Sequence, residues 1–143
     1  MDTLKFGILD PIRLPIAKKL YKQHYPAGRP KADERIISAR FESATCALVR
    51  LRSVDSYRLM TGMLVLPEYR QRGVGHQLMN YLMRHELQLS DFCFSLTDLA
   101  PFYAQHGFQA ISQDELPAAL KTLFIRYTGS GKSLVAMRYI DPS

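Results

Sequence analysis

Six residues carry the most chemical information in this 143-residue sequence: Arg70-Gln71-Arg72-Gly73-Val74-Gly75. They follow the apolar run Met63-Leu64-Val65-Leu66 and a proline, Pro67. They lead into Val74, Leu78, Tyr81, Leu82 and His85, whose spacing of i, i+4, i+7, i+8 and i+11 is the stripe of an amphipathic helix. A glycine-bearing loop that opens a helix offers backbone N–H groups and the positive end of the helix dipole, so its chemistry is anion binding. Arg70 and Arg72 at such a terminus oppose the dipole until an anion arrives. The three-position pattern, Arg or Gln followed by x-x-G-x-G, occurs by chance in roughly 7% of chains this long, so its neighbours must decide its meaning.

Other templates for the same chemistry fail. A dinucleotide fingerprint needs a third glycine where this chain has Leu78. A phosphate loop ending at Gly131-Lys132-Ser133 would place its first glycine at Arg126 and would lead into a strand where a helix is required. Metal chemistry has no support either. Cys46 and Cys93 form no C-x-x-C pair, and His24, His76, His85 and His106 are scattered without ligand spacing, so no metal is expected.

A net charge of +6 suits an anionic partner, whether nucleic acid, acidic protein or phosphorylated cofactor. Lys18, Lys19, Lys22, Arg29 and Lys31 form a basic patch, but no nucleic-acid motif accompanies them and a solvated face is the expectation. The apolar runs are far shorter than the roughly 20 residues of a membrane span. Met1-Asp2-Thr3-Leu4-Lys5 does not read as a secretory signal, so a cytoplasmic address and one domain over residues 1–143 are expected.

The elements that must hold the loop are legible as patterns. Thr3 to Leu9 reads as a strand, and Pro15 fits the first turn of a helix through Ile16, Leu20 and Tyr21, which stops in Tyr25-Pro26-Ala27-Gly28-Arg29-Pro30. Arg35 to Phe41, Thr45 to Arg52 and Tyr57 to Leu66 follow as three strands joined by short connections, an antiparallel meander. After the helix comes the strand Phe92 to Leu96, which makes a β-α-β unit and therefore a parallel pair in a mixed sheet. Thr97-Asp98 reads as the cap of a short helix that stops at Gly107 with Phe108 in contact. Phe108 to Ser112 reads as a strand, Asp114 to Tyr127 as a helix with Pro117 near its start, and Leu134 to Ile140 as a closing strand.

Two strings in this order resemble the GNAT superfamily of N-acetyltransferases. Met63 through Gly75 is similar to that family's strand, proline turn and R/Q-x-x-G-x-G/A loop. Phe102-Tyr103-Ala104-Gln105-His106-Gly107-Phe108 is similar to its second signature, an aromatic-tyrosine pair ending in Gly-Phe. The resemblance implies an α/β (α+β) fold with a mixed, mostly antiparallel central sheet flanked by helices and a splayed parallel strand pair at the cofactor site. It implies acetyl-CoA as cosubstrate, with Arg70, Gln71, Arg72, Gly73, Val74 and Gly75 around its pyrophosphate and the backbone of Met63, Leu64 and Val65 along its pantetheine arm. It implies Tyr103 as the acid that protonates the departing thiolate, and an amine, small-molecule or protein-borne, as acceptor. A homodimer is open. The family's strand glutamate is missing, because Tyr57 to Leu66 contains no carboxylate. That absence favours a rival reading, a regulatory protein that senses acetyl-CoA without turnover. Asp98 and Glu42 are alternative bases, Cys93 an alternative nucleophile, and His106 an alternative proton carrier.

Overall fold

The computed structural model describes residues 3–25, 30 and 33–140. Arg29, Lys31 and most of the turn from Tyr25 to Pro30 lie outside the described residues. In chain order the elements are β1 (Leu4–Ile8), α1 (Leu14–His24), β2 (Arg35–Phe41), β3 (Ala44–Val54), β4 (Tyr57–Val65), α2 (Val74–His85), β5 (Phe92–Leu96), α3 (Ala100–Ala104), β6 (Phe108–Ala110), α4 (Ala118–Gly129) and β7 (Leu134–Tyr139). The strands hydrogen-bond in the order β1-β2-β3-β4-β5-β7-β6, mostly antiparallel, with β4 and β5 the parallel pair. Helices flank this mixed sheet. By internal contact the chain divides into two units: Met1–Arg52 with Thr61–Tyr81, and Ser53–Met60 with Leu82–Ser143.

In the first unit, β1 lies antiparallel to β2 from Leu4↔Phe41 to Ile8↔Ile37, and β2 pairs with β3 with a register shift between Ala39 and Arg40. The Asp10 carboxylate accepts from the Ile12 N–H at 3.1 Å and opens the turn that leads into α1, where Pro15 occupies the first turn. Ala17 and Tyr21, one helical turn apart, are the buried residues of α1. They pack with Leu9, Ile36, Leu48, Leu64 and Leu66 into one core. Burying each such large apolar side chain stabilises by about 1.5–3 kcal/mol, so the α1 face fixes the rear of β4.

In the second unit, Leu59, Phe92, Leu116, Leu120, Phe124 and Ala136 form the core. The β4–β5 register runs Leu59↔Phe92 and Met60↔Cys93. Asp91, just before β5, is buried and accepts from Nε (3.1 Å) and Nη2 of Arg58 on β4; the same Nη2 donates to the Glu86 carbonyl at 2.7 Å. A forked guanidinium thereby sets which residues of the two parallel strands face each other.

Three expectations need correction. The helix read from Asp114 to Tyr127 is broken: Ser112 and Glu115 form a capping box around a single 3-10 turn at Gln113–Glu115, Leu116 and Pro117 are extended, and α4 begins at Ala118. Proline forces the preceding residue away from helical backbone, so Pro117 starts the helix from outside it. Thr97 is not a side-chain cap; its hydroxyl meets the Ser133 hydroxyl at 2.8 Å and so ties the end of β5 to the approach to β7. The strand read over Phe108 to Ser112 ends at Ala110, where its pairing with Met137 of β7 ends.

Candidate functional site

The strand that the sequence marks as central contains an irregularity. Gly62, inside β4, has φ of +65°, a left-handed conformation that rotates the peptide planes around it as a bulge does. Leu64 and Leu66 beyond it point into the core, whereas Thr61, Met63 and Val65 are half-buried. The sequence reading did not single out the left-handed turn at Gly62, although a lone glycine in an apolar strand is the signal for such a bend.

The loop after β4 is built from local backbone chemistry. Leu66 is extended, Pro67–Tyr69 makes one 3-10 turn closed by Tyr69 N–H donating to the Leu66 carbonyl at 2.9 Å, and the Tyr69 ring stacks on Phe41 at 6.4 Å. Gln71 and Gly73 are left-handed, with φ of +63° and +77°. For Gln71 this costs on the order of 1–3 kcal/mol, strain of the kind that concentrates at ligand sites. Gln77 N–H donates to the Gly73 carbonyl at 3.0 Å, the first bond of the α2 ladder, so the N–H groups of Gly73, Val74 and Gly75 precede it and have no acceptor within the helix. Val74 is buried and pins the helix end, while Arg70, Gln71, Arg72 and Gly73 are exposed.

Two details define the cradle. A Cβ built on Gly73 would meet nothing within 4 Å, so no part of the chain crowds the Gly73 Cα on that side. Arg70 Nε donates to the Val65 carbonyl at 2.9 Å, which tethers that guanidinium to the end of β4. A guanidinium carries five N–H donors, so Arg70 has donors beyond the one this bond uses. N–H groups without a helix acceptor, the positive end of a helix dipole and two exposed arginines are a chemistry suited to an anion. Met63, Leu64, Val65 and Arg70 to Gly75 are thus brought together in the first unit.

Tyr103 belongs to the second unit. It sits in α3, is 8% exposed, and its ring is held edge-on by Phe102 at 5.1 Å and Phe108 at 6.3 Å. α3 ends at Ala104 with a right-handed Gln105 as its C-cap, so Gly107 is not the cap read from the sequence; it turns the chain two residues later with φ of +87°, its carbonyl accepts from the Ile140 N–H at 2.8 Å, and Phe108 meets the Tyr103 ring.

The remaining candidates are weaker. Cys93 is buried, and burial pushes its thiol well above the ordinary range, so it stays neutral and is a poor nucleophile. Glu42 is an exposed turn residue with φ of +52°, and Asp98 is exposed in the first turn of a 3-10 helix. His106 is buried against the Phe102 ring at 5.2 Å. Lys18, Lys19 and Lys22 with Pro30 line an open hollow, as a solvated basic face would. Among the described residues no cluster of His, Cys, Asp or Glu could hold a metal ion, and no helix is long and apolar enough to cross a membrane.

The family model described as acetyltransferase (GNAT) domain matches residues 32–110. Among solved structures, the ribosomal-protein-S18-alanine N-acetyltransferase of Escherichia coli superposes with a TM-score of 0.70 at 13% identity, over 99% of this chain and 96% of that one. Rv2747 of Mycobacterium tuberculosis, solved with CoA and NLQ, gives 0.70 at 16% identity, over 95% and 99%. N-acetylglutamate synthase of Neisseria gonorrhoeae, solved with coenzyme A and L-arginine, gives 0.72 at 14% identity over 97% of this chain, which spans 34% of that longer protein. At these identities the likeness is one of fold. No curated protein matches the sequence.

Proposed function

The chain belongs to the GNAT acetyltransferase family, and from that premise we propose that it transfers the acetyl group of acetyl-CoA to a primary amine by direct attack in a ternary complex. The observation that carries the reading is the row of first-turn amides at Gly73, Val74 and Gly75, in the loop that follows a strand holding the left-handed Gly62. In this reading those amides, with Arg70, Gln71 and Arg72, hold the pyrophosphate. The backbone of Met63, Leu64 and Val65 pairs with the pantetheine amides as an added strand would. One N–H of that segment faces the thioester oxygen and stabilises the oxyanion, an effect worth about 10²–10³ in rate for a single well-placed donor. Tyr103 gives its phenolic proton to the departing thiolate, and its ring packing keeps that hydroxyl in one orientation. Residues 1–143 act as one domain in the cytoplasm, on a small-molecule or protein-borne amine.

A second reading, an acetyl-CoA sensor without turnover, is favoured by one feature: β4 carries no carboxylate to take the proton of an ammonium acceptor. Coenzyme release measured with thiol reagent over a panel of amines separates the two. The transferase reading predicts release that depends on one amine class and saturates. Tight acetyl-CoA binding with no amine raising release above the spontaneous rate would contradict it and leave the sensor.

A further inference from the structure

Behind the left-handed Gly62 lies a buried polar cluster that the proposed reaction does not yet use. The Tyr21 hydroxyl, on α1, donates to the Gly62 carbonyl at 2.6 Å across 41 residues of sequence, and the side chain has no exposed surface. The Arg50 guanidinium lies over the Tyr21 ring at 5.1 Å and pairs with Glu34 at 3.0 Å, both side chains at most 7% exposed. A Cβ on Gly62 would come within 2.6 Å of Arg50 Nε and 3.2 Å of Tyr21 Cε1. Gly62 is therefore required twice, by its φ and by the atoms that fill the space beside it.

We propose that Tyr21 is a positioning residue for acetyl transfer: its hydroxyl holds the Gly62 carbonyl from the core side and so fixes the direction of the Met63–Val65 peptide groups that meet the thioester. The inference rests on the proposed transferase reading. A left-handed residue inside a strand takes its carbonyl out of the regular ladder, and a carbonyl in the core needs a donor. Tyr21 is that donor. The Arg50 cation on the ring face, itself fixed by Glu34, sets the ring plane and with it the line along which the hydroxyl points. Burial pushes the phenol far above its ordinary range, so it remains a neutral donor at every working pH. The clamped carbonyl belongs to the peptide that joins Gly62 to Met63, so freeing it lets that plane swing while the pyrophosphate loop, anchored by Val74, keeps its place.

Tyr21→Phe keeps the ring and removes only the hydroxyl. The expected result is a tenfold or larger fall in kcat, with KM for acetyl-CoA within about twofold. In amide NMR, the extra shift that acetyl-CoA produces over free CoA at Met63 to Val65 is lost, while the shifts at Gly73 to Gly75 persist. A merely structural hydrogen bond lowers the melting temperature and leaves kcat and the acetyl-specific shift unchanged; that result overturns the proposal. If Tyr21→Phe does not fold, Arg50→Lys, which keeps the charge and frees the ring face, must lower kcat in the same direction, and an unchanged kcat overturns it as well. If the unaltered protein shows no CoA-induced shift at Gly73 to Gly75, the transferase reading and this inference fall together. Shifts there with equal kcat in protein and variant sink the inference alone.

Discussion

Two glycines in the first unit share a left-handed φ, Gly62 at +65° and Gly73 at +77°, in opposite surroundings. A Cβ on Gly73 would meet empty space, whereas one on Gly62 would collide with the Arg50 guanidinium and the Tyr21 ring. At Gly73 the missing side chain leaves backbone N–H groups open to a ligand. At Gly62 it lets the core press against the strand and hold its carbonyl. In the proposed reading, recognition and rigidity are thus separated along 11 positions of one chain: a strand offers its peptide groups usefully only when something behind it keeps them still.

That contrast makes the two positions fail differently. Gly62→Ala is expected to cost about 2–5 kcal/mol, from left-handed strain together with overpacking against Arg50 and Tyr21, read as a lower urea midpoint. A stability within 0.5 kcal/mol of the parent, as is usual for a neutral surface change, would break the claim that this site is filled. Gly73→Val is expected to lower CoA affinity by about 100-fold, roughly 2.7 kcal/mol, in calorimetry, with a smaller loss of stability from backbone strain. Affinity unchanged by the valine would remove the loop from the coenzyme site.

A third position carries its chemistry in a side chain. Tyr103→Phe is expected to lower kcat by about 100-fold with acetyl-CoA affinity unaltered, the mark of a group used in the transition state. An undiminished kcat would return Tyr103 to the role of a core aromatic.

The smallest effect is a pH dependence. Burial raises Tyr21 above an ordinary phenol value of 10.0 and Cys93 above an ordinary thiol value of 9.0. Between the unfolded and folded values the native state binds more protons, so stability is level below about pH 9 and falls as pH rises beyond it. Thermal melts from pH 6 to 10.5 should show that shape, with a shallower alkaline limb in Tyr21→Phe. Equal alkaline limbs would mean that the phenol ionises freely in the fold.

The loop was legible because its chemistry is contiguous: six residues, a preceding proline and a following apolar stripe are enough to place amides at a helix start. The two strand pairs around it, β2 with β3 and β4 with β5, were readable for the same reason, since short connections and a β-α-β order constrain pairing locally. What lay beyond reach depends on distant partners. The place of β7 between β5 and β6 follows from pairings such as Phe94↔Ala136, which no local pattern encodes. The clamp on Gly62 joins Tyr21, Glu34 and Arg50 from three elements or their approaches, and only the lone glycine hinted at it. The helix before β7 starts at Ala118 and not at Asp114, because the apolar stripe from Leu116 gives no sign of the extended backbone that Pro117 imposes on its predecessor.

The central claim is that the N–H groups at Gly73, Val74 and Gly75 clasp the diphosphate of coenzyme A. Titration of labelled protein with CoA, followed by amide NMR, tests it most directly. Saturable shifts concentrated at residues 71–75 and 63–65 are predicted, and a spectrum in which those amides stay still while CoA reaches millimolar concentration would contradict it.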